Sequence, residues 1–285
     1  MQEITKKIID FALDEDLGVE GDITSNFTIN KDKKISFQIA TREDIILCGA
    51  DLVIEVFNKV GQRFGTGSNL QTKKHFEDAK QLKKKDVIIS GSWDARSVFA
   101  AERVALNLIQ HLSGISTLTA KYVQELSNSN TKILDTRKTI PALRALQKYA
   151  VKVGGGKNHR FALYDGILVK DNHIAAAGGI KQAINMVKEN LQKQNKKMDI
   201  EIECDTINQV IQALEAGVDI IMLDNMNLEQ IKEAKNIINK KCKIEVSGGI
   251  TLEKIRPISD IGVDYISIGS LTHSVKAVDI GLDVL

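Results

Sequence analysis

Cationic side chains are concentrated near the middle of the chain. The run GGGKNHR, residues 154–160, places a lysine, a histidine and an arginine directly after three glycines. Arg137 and Lys138 precede this run, and Lys170 follows it. Guanidinium forks and ammonium groups bind carboxylates and phosphates. These residue types at this spacing therefore predict a site for an anionic small molecule.

Acidic residues and glycine-rich turns follow further along the chain. Glu203 and Asp224 could face sugar hydroxyls or a hydrated Mg²⁺ ion, which binds few carboxylates directly. The turns SGGI (247–250) and SIGS (267–270) expose backbone N–H groups where helices begin, which suits a terminal phosphate. Together with the cations, these features predict a sugar phosphate and a small multi-carboxylate as substrates.

Each feature also has a purely structural interpretation. The SGG turn could be a tight connection, and Glu203 and Asp224 could be interior ion-pair partners. His159 could be a hydrogen-bonded structural residue, and His111, inside a predicted helix, is assigned that role. The functional interpretation is favoured because all the other features follow successive predicted strands, where parallel α/β folds bind their ligands.

Six short β-branched runs carry these residues. Helical patterns separate most of the runs, and strands that alternate with helices predict a parallel sheet. The runs are TKILDT, GILVKD, DIEIECD, DIIMLDN, KIEVSGG and DYISIGS. Because only six are present, the pattern fits both a reduced barrel and a doubly wound sheet.

Residues 1–107 differ from the rest and read as an α+β region with an amphipathic opening helix. Residues 44–57 read as strand with helical insertions, and the lysine-rich segment 73–86 reads as a solvated hairpin face. A long helical pattern covers residues 102–126, and Gly114 inside it predicts a bend or helix junction.

Composition excludes several classes of protein. The formal net charge of the 285 residues is only +2, which argues against a nucleic-acid partner. The longest apolar stretches are shorter than the ~18 residues of a membrane span, and the charged first residues argue against a signal peptide. Cys48, Cys204 and Cys242 are odd in number and lack ligand spacing, so we expect reduced thiols and a cytoplasmic location.

Longer runs of the sequence resemble one enzyme family. The family is quinolinate phosphoribosyltransferase, also called carboxylating nicotinate-nucleotide pyrophosphorylase. The similarity is carried by GDITS, ERVALNLIQHLSGIST, LDTRKTIPALRALQKYAVKVGGGKNHRFALYDGILVKDNHI, EIECDT, IIMLDN, IEVSGGI and GVDYISIGSLTHS. It extends over nearly the whole chain and is loosest in the segment 73–86.

The resemblance implies a fold and a reaction. It implies an N-terminal α/β open-faced sandwich (residues 1–107, joined by the tail 274–285) and an incomplete, six-stranded parallel α/β barrel (residues 108–273). The reaction would transfer a phosphoribosyl group from phosphoribosyl pyrophosphate to quinolinate with decarboxylation. Its products would be nicotinate mononucleotide, pyrophosphate and CO₂, as in de novo NAD biosynthesis, and its cofactor would be Mg²⁺.

The resemblance also implies roles for individual residues. Lys138, Lys170, Glu203 and Asp224 are expected to be catalytic, and the two acidic residues would also face the metal, indirectly, through water and substrate. A homodimer would supply Arg103 to the site of its partner. The expected substrate-binding residues are Arg103, Thr136, Arg137, Lys138, His159, Arg160, Lys170, Ser247, Gly248, Gly249, Gly269 and Ser270. We expect the glycines of residues 154–156 to let the backbone run close to the ligand.

Two alternatives stay open at this stage. The first is a related phosphoribosyltransferase that acts on another pyridine carboxylate, such as nicotinic acid. The second is a non-catalytic homologue that only binds a phosphosugar. Quinolinate carries two carboxylates and demands the fuller cationic set, which this chain has, so the quinolinate reaction is the preferred hypothesis.

Overall fold

The structure is a computed structural model that describes residues 3–126 and 129–285. In residues 3–126 the elements are α1 (Glu3–Leu17), α2 (Ile23–Thr28), β1 (Lys34–Thr41), β2 (Ile45–Ile46), α3 (Ala50–Phe64), a 3₁₀ turn (Gly67–Asn69), β3 (Gln71–Lys74), β4 (Gln81–Leu82), β5 (Val87–Asp94) and α4 (Ala95–Glu125). None of the helices in the described ranges has both the length and the apolar character that crossing a membrane requires.

The elements of residues 129–285 alternate between strand and helix for most of their length. They are β6 (Lys132–Leu134), α5 (Arg144–Val153), β7 (Ile167–Val169), α6 (Asp171–Ala177), α7 (Ile180–Lys193), β8 (Ile200–Cys204), α8 (Ile207–Ala216), β9 (Ile220–Asp224), α9 (Leu228–Ile238), β10 (Lys243–Ser247), α10 (Leu252–Asp260), β11 (Tyr265–Ser267), α11 (Ser270–His273) and β12 (Ile280–Val284). All six predicted β-branched runs are strands.

The chain divides into two compact units. The first comprises Met1–Ala120, Thr139–Gly155 and Leu271–Leu285, and the second comprises Lys121–Lys138 and Gly156–Ser270. The predicted domain boundary at residue 107 falls inside the continuous helix α4, so it does not coincide with the limits of these units. The assignment of residues to domains stays a prediction.

An antiparallel sheet in the order β12-β1-β5-β3 forms the centre of the first unit. The C-terminal strand β12 pairs with β1 from Phe37 opposite Val284 to Thr41 opposite Ile280. One face of the sheet packs against α3, where the rings of Phe37 and Phe57 stack with their centroids 5.3 Å apart. Burial of these large apolar side chains stabilises the unit.

Two expectations for the N-terminal region are wrong in detail. Most of residues 44–57 lie in α3 and not in a strand, because Val53, Val56, Phe57 and Val60 recur at helical spacing and are buried. The lysine-rich segment 73–86 is not one hairpin, because β3 pairs with β5 whereas β4 pairs with β2.

A six-stranded parallel sheet in the order β6-β11-β10-β9-β8-β7 forms the centre of the second unit. The sheet curls around one interior, since residues from all six strands line a single cavity of about 490 Å³. It is open between β6 and β7, and this is the incomplete α/β barrel that the sequence predicts. Such a barrel gathers the carboxyl ends of its strands around one mouth.

Helix α4 runs without a break through Gly114, so the predicted helix junction is absent. A Cβ atom at this position would lie against the carbonyl oxygen of Lys276 and 3.4 Å from Cα of Ala277. Glycine is therefore needed here for the close approach of the C-terminal segment.

The substitution Gly114→Ala tests the packing explanation by the sign of its effect on stability. Helix propensity alone would stabilise the protein by about 1 kcal/mol. We expect instead a net destabilisation of roughly 1–3 kcal/mol, as for other overpacked positions, because the methyl group meets backbone that cannot rotate away. Denaturant unfolding measures the change, and a more stable variant would contradict the packing explanation.

Candidate active site

The mouth of the barrel holds a cavity of about 380 Å³, within the range of roughly 300–1,000 Å³ usual for small-molecule sites. Nine predicted site residues line it, namely Thr136, Arg137, Lys138, His159, Arg160, Lys170, Glu203, Asp224 and Ser247. The lining also includes Leu168, Met222, Glu245 and Ser267. The structure therefore brings together the cationic and the acidic groups that the sequence singles out.

The remaining predicted residues do not line this cavity. Gly248 and Gly249 follow β10 directly, whereas Gly269 lies two residues after the end of β11 and Ser270 begins α11. Arg103 is exposed on α4 and belongs to the first unit. The substrate-binding roles of these five residues stay predictions.

Two of the three glycines before the basic run have structural reasons that the sequence analysis missed. A Cβ atom on Gly154 would lie against the carbonyl oxygen of Ser116 and 2.6 Å from Cβ of Thr119, so helix α4 leaves no room for a side chain there. Gly155 has a φ of +91°, in the left-handed region that favours glycine. At both positions the local fold alone requires glycine, without any approach of the backbone to a ligand.

The residues after these glycines lie beside β6. Lys157 N–H donates to the carbonyl of Ile133 (2.8 Å), and Asp135 N–H donates to the carbonyl of Lys157 (3.1 Å). The fully buried Asp135 carboxylate then accepts from His159 N–H at 2.9 Å and also from the Asn158 amide. This backbone pairing directs His159 toward the barrel interior and explains why Lys157 is not part of the mouth.

His159 meets two buried carboxylates inside the barrel. Its Nε2 lies 3.0 Å from Oε2 of Glu201 and 3.7 Å from Oε1 of Glu245. Burial, and then the Glu201 carboxylate, raise the pKa of Glu245 to about 8. The sequence analysis did not select Glu201 or Glu245, although their alternation with Glu203 and Ser247 along β8 and β10 indicates polar residues on one strand face.

The cations at the mouth are close enough to repel one another. Burial, and then the neighbouring Arg137, lower the pKa of Arg160, whereas Glu201 acts in the opposite direction. The Arg160 guanidinium donates to the carbonyl of Gly166 at 3.0 Å, which fixes its direction. An anion entering this mouth would relieve the repulsion between the two guanidinium groups.

The acidic side of the mouth is formed by the ends of β8 and β9. Glu203 pairs with the Lys170 ammonium group, and Asp224 accepts from the Asn225 side-chain amide at 2.6 Å. Glu203, Asp205 and Asp224 each offer one carboxylate oxygen, and these three oxygens lie within 4.8 Å of one another. Oxygen ligands of this kind fit a hard cation such as Mg²⁺. Asp205 is a further candidate that the sequence analysis did not select.

The turn after β10 has the open backbone expected of a phosphate-binding turn. Gly248 and Gly249 have φ values of +90° and +58°. Asn225 N–H donates to the carbonyl of Ser247 (3.0 Å), so the turn packs tightly against the end of β9. A Cβ atom on Gly248 would lie 2.7 Å from the backbone nitrogen of Asn225, whereas a Cβ atom on Gly249 would meet only the tip of Lys254, 3.9 Å away.

These two glycines form a matched pair for substitution by alanine. Gly249→Ala should cost about 1–2 kcal/mol of stability, because only the left-handed backbone is strained. Gly248→Ala should cost more and should also move the turn, because its methyl group meets the backbone of Asn225. Thermal unfolding of both variants measures the difference, and equal melting temperatures would refute this account of the turn.

Comparison with known proteins matches two consecutive parts of the chain to one family. The family model for the N-terminal domain of quinolinate phosphoribosyl transferase matches residues 22–113, and the model for its C-terminal domain matches residues 115–283. A protein of Bacillus subtilis (strain 168) named probable nicotinate-nucleotide pyrophosphorylase (carboxylating) is 42% identical, over 98% of this chain and 93% of its own length. A Methanocaldococcus jannaschii protein of the same name is also 42% identical, over 100% and 99% of the two chains.

Solved structures of similar proteins indicate the same family. The crystal structure of nicotinate-nucleotide pyrophosphorylase from Ehrlichia chaffeensis has a TM-score of 0.92 and 44% identity, covering 98% of each chain. Human nicotinic acid phosphoribosyltransferase has a TM-score of 0.65 at 10% identity, covering 100% of this chain and 74% of its own, which is a likeness of fold alone. With both family models matched in order and relatives similar along their whole length, the chain belongs to the quinolinate phosphoribosyltransferase family.

Proposed function

We propose that this chain catalyses phosphoribosyl transfer from phosphoribosyl pyrophosphate to quinolinate, with decarboxylation to nicotinate mononucleotide. The observation that carries the proposal is the mouth cavity, in which Arg137, Lys138, Arg160 and Lys170 lie with the carboxylates of the β8 and β9 ends. Membership of the family supports the choice of both substrates.

The cations of the mouth counteract the repulsion between the two anionic substrates, which is the main physical difficulty of this reaction. Quinolinate is a dianion and phosphoribosyl pyrophosphate carries several negative charges, so the two substrates repel each other. Two guanidinium groups and two ammonium groups at one mouth offset that repulsion and orient both molecules. Holding two reactants in position is itself a large part of catalysis, because it removes the entropy cost of their encounter.

The bond changes require no covalent enzyme intermediate. The pyridine nitrogen of quinolinate forms a bond to C1 of the ribose while the bond from C1 to the pyrophosphate oxygen breaks. Positive charge develops at C1, and the carboxylates of Glu203 and Asp224, which line the mouth, would stabilise it. The alkylated ring then accepts the electron pair left at C2 as the adjacent carboxylate leaves as CO₂. A cation near C2 stabilises that pair until a proton replaces the carboxylate.

Magnesium is part of the proposal. Glu203, Asp205 and Asp224 would hold the ion, in part through water and substrate oxygens. When bound, Mg²⁺ supplies positive charge that makes pyrophosphate a better leaving group.

The same proposal includes a homodimer in which Arg103 reaches the mouth of the partner subunit. What supports it is the exposure of this arginine on α4 and its absence from the cavity lining of its own chain. A guanidinium group supplied in this way would add a further contact to a quinolinate carboxylate. The cytoplasmic location expected from the three cysteines stays a prediction.

One assay tests the reaction. Purified protein is mixed with quinolinate, phosphoribosyl pyrophosphate and Mg²⁺, and CO₂ and nicotinate mononucleotide are followed. We expect equal amounts of both products, and no products when a chelator removes the metal. Product from nicotinic acid but not from quinolinate would favour the related transferase. Tight binding of phosphoribosyl pyrophosphate without release of pyrophosphate would favour the non-catalytic homologue.

Mixing two inactive variants tests the shared site. Arg103→Ala and Lys138→Ala should each lose most activity alone, because each damages every site of its own homodimer. After subunit exchange, a mixed dimer has one site with both substitutions and one site with neither, so activity should partly return. Native mass spectrometry verifies the exchange. Mixed dimers without recovered activity would contradict the proposed role of Arg103.

A further inference from the structure

The barrel interior behind the mouth contains a buried group of three titratable side chains. These are His159, Glu201 and Glu245, and one ligand atom from each lies within 4.8 Å of the other two. The side chains of His159 and Glu201 are only 10% and 8% exposed, and that of Glu245 is 1% exposed. Two carboxylates this close and this buried cannot both be ionised without a large cost in free energy.

Two oxygen atoms of this group are buried and have no hydrogen-bond partner within the described residues. They are Oε1 of Glu201 and Oε1 of Glu245. A proton shared between the carboxyl groups would satisfy both oxygens and remove one negative charge. The raised pKa of Glu245 supports the same arrangement.

A proton fits this place better than a metal ion, although one nitrogen and two carboxylates could ligate a cation. Glu201 already acts on the Arg160 guanidinium, which in turn lies near Arg137. A divalent cation would add two positive charges to a region where the cations already repel one another. The neighbouring charges therefore favour a singly protonated pair of carboxyl groups.

The buried pair is linked to the mouth through the imidazole of His159. Its Nδ1 accepts from the backbone N–H of Arg160 at 2.7 Å, so this nitrogen carries no proton in the structure. The proton is on Nε2, which faces Oε2 of Glu201 at 3.0 Å. The imidazole thus joins a strand of the barrel to the backbone of a residue that lines the mouth.

We propose that Glu201 and Glu245 are positioning residues for quinolinate binding: they fix the imidazole of His159 and, through it, the backbone of Arg160. The inference rests on the proposed quinolinate reaction and deepens it. It assigns His159 a role behind the mouth, where it places the Arg160 guanidinium before a substrate arrives. Preorganised donors bind an anion more tightly because they need no rearrangement.

Charged groups surround the pair on both sides. On the mouth side the cavity is lined by Arg137, Lys138, Arg160, Lys170, Glu203 and Asp224. On the opposite side a second cavity is lined by Lys132, Lys157, Asp165, Asp199, Lys243 and Tyr265, together with His159, Glu201 and Glu245. Ser267 of β11 also faces Glu245.

Three variants test the positioning role. Glu201→Gln should raise the KM for quinolinate by about 10-fold or more, as is usual when a residue that orients a binding residue is lost. The KM for phosphoribosyl pyrophosphate should change less. Glu245→Gln should raise the KM for quinolinate less than Glu201→Gln does, because the Glu245 oxygen lies 3.7 Å from Nε2 of His159, whereas the Glu201 oxygen lies 3.0 Å away. Asp199→Asn is the matched control, since this residue lines the inner cavity outside the hydrogen-bonded group, and it should retain the wild-type KM.

A double-mutant cycle gives the sharpest result. His159→Asn keeps an acceptor near the Arg160 amide but loses the contact with Glu201. Glu201→Gln and His159→Asn should therefore have similar effects on the KM for quinolinate, and the two effects should not add in the double variant. Equal changes in kcat and both KM values, or additive effects in the cycle, would overturn the proposal. A stoichiometric metal that the wild type retains and Glu201→Gln loses would also overturn it.

Calorimetry of quinolinate binding at equilibrium separates this proposal from the proposed reaction. Wild-type protein that binds quinolinate without forming product would refute the reaction, and the Kd values of the variants would then test the positioning role. Wild-type protein that does not bind quinolinate would refute both. Thermal unfolding shows whether each variant is folded. If Glu201→Gln does not fold, Glu245→Gln, which resembles the protonated side chain, tests the proposal in its place.

Discussion

The mouth of the barrel depends on keeping several positive charges close together in a partly buried place. Arg137 lies near enough to lower the pKa of Arg160, and Lys170 is held by the carboxylate of Glu203. Such a cluster is stable only if negative groups lie around it, because like charges interact strongly when water is partly excluded. The acidic ends of the strands and the buried carboxyl pair supply those groups, and a dianionic substrate supplies the rest.

The parallel barrel is what makes this concentration of charge possible. Each strand contributes between one and three polar side chains at or after its carboxyl end, and the curvature of the sheet directs them to a common point. The helices between the strands carry no catalytic group in this account. Capping boxes such as that of Thr206 and Gln209 begin them, and their buried faces hold the strands in place. Strand ends therefore carry the chemistry and helices maintain the geometry.

Much of this could be predicted from the sequence. All six strands of the barrel are recognisable from short β-branched runs, because parallel strands covered by helices are rich in buried apolar residues. Nine of the predicted residues line the mouth, since a polar residue at the end of such a run has few other places to lie. Residues 44–57 and the segment 73–86 were less predictable, because short apolar runs fit helix and strand alike and pairing partners are set by distant residues.

The sequence by itself determined the parallel α/β class, the concentration of anion-binding residues at strand ends and the resemblance to quinolinate phosphoribosyltransferase. These follow from local periodicity, residue chemistry and the order of motifs. Only the tertiary structure decided that Gly154 is required by the packing of α4, that His159 points into the barrel, and that Glu201 and Glu245 meet behind it. The physical reason is that the packing clash and the proximity of like charges depend on distances between residues far apart in the chain, and those distances exist only once the sheet has curled.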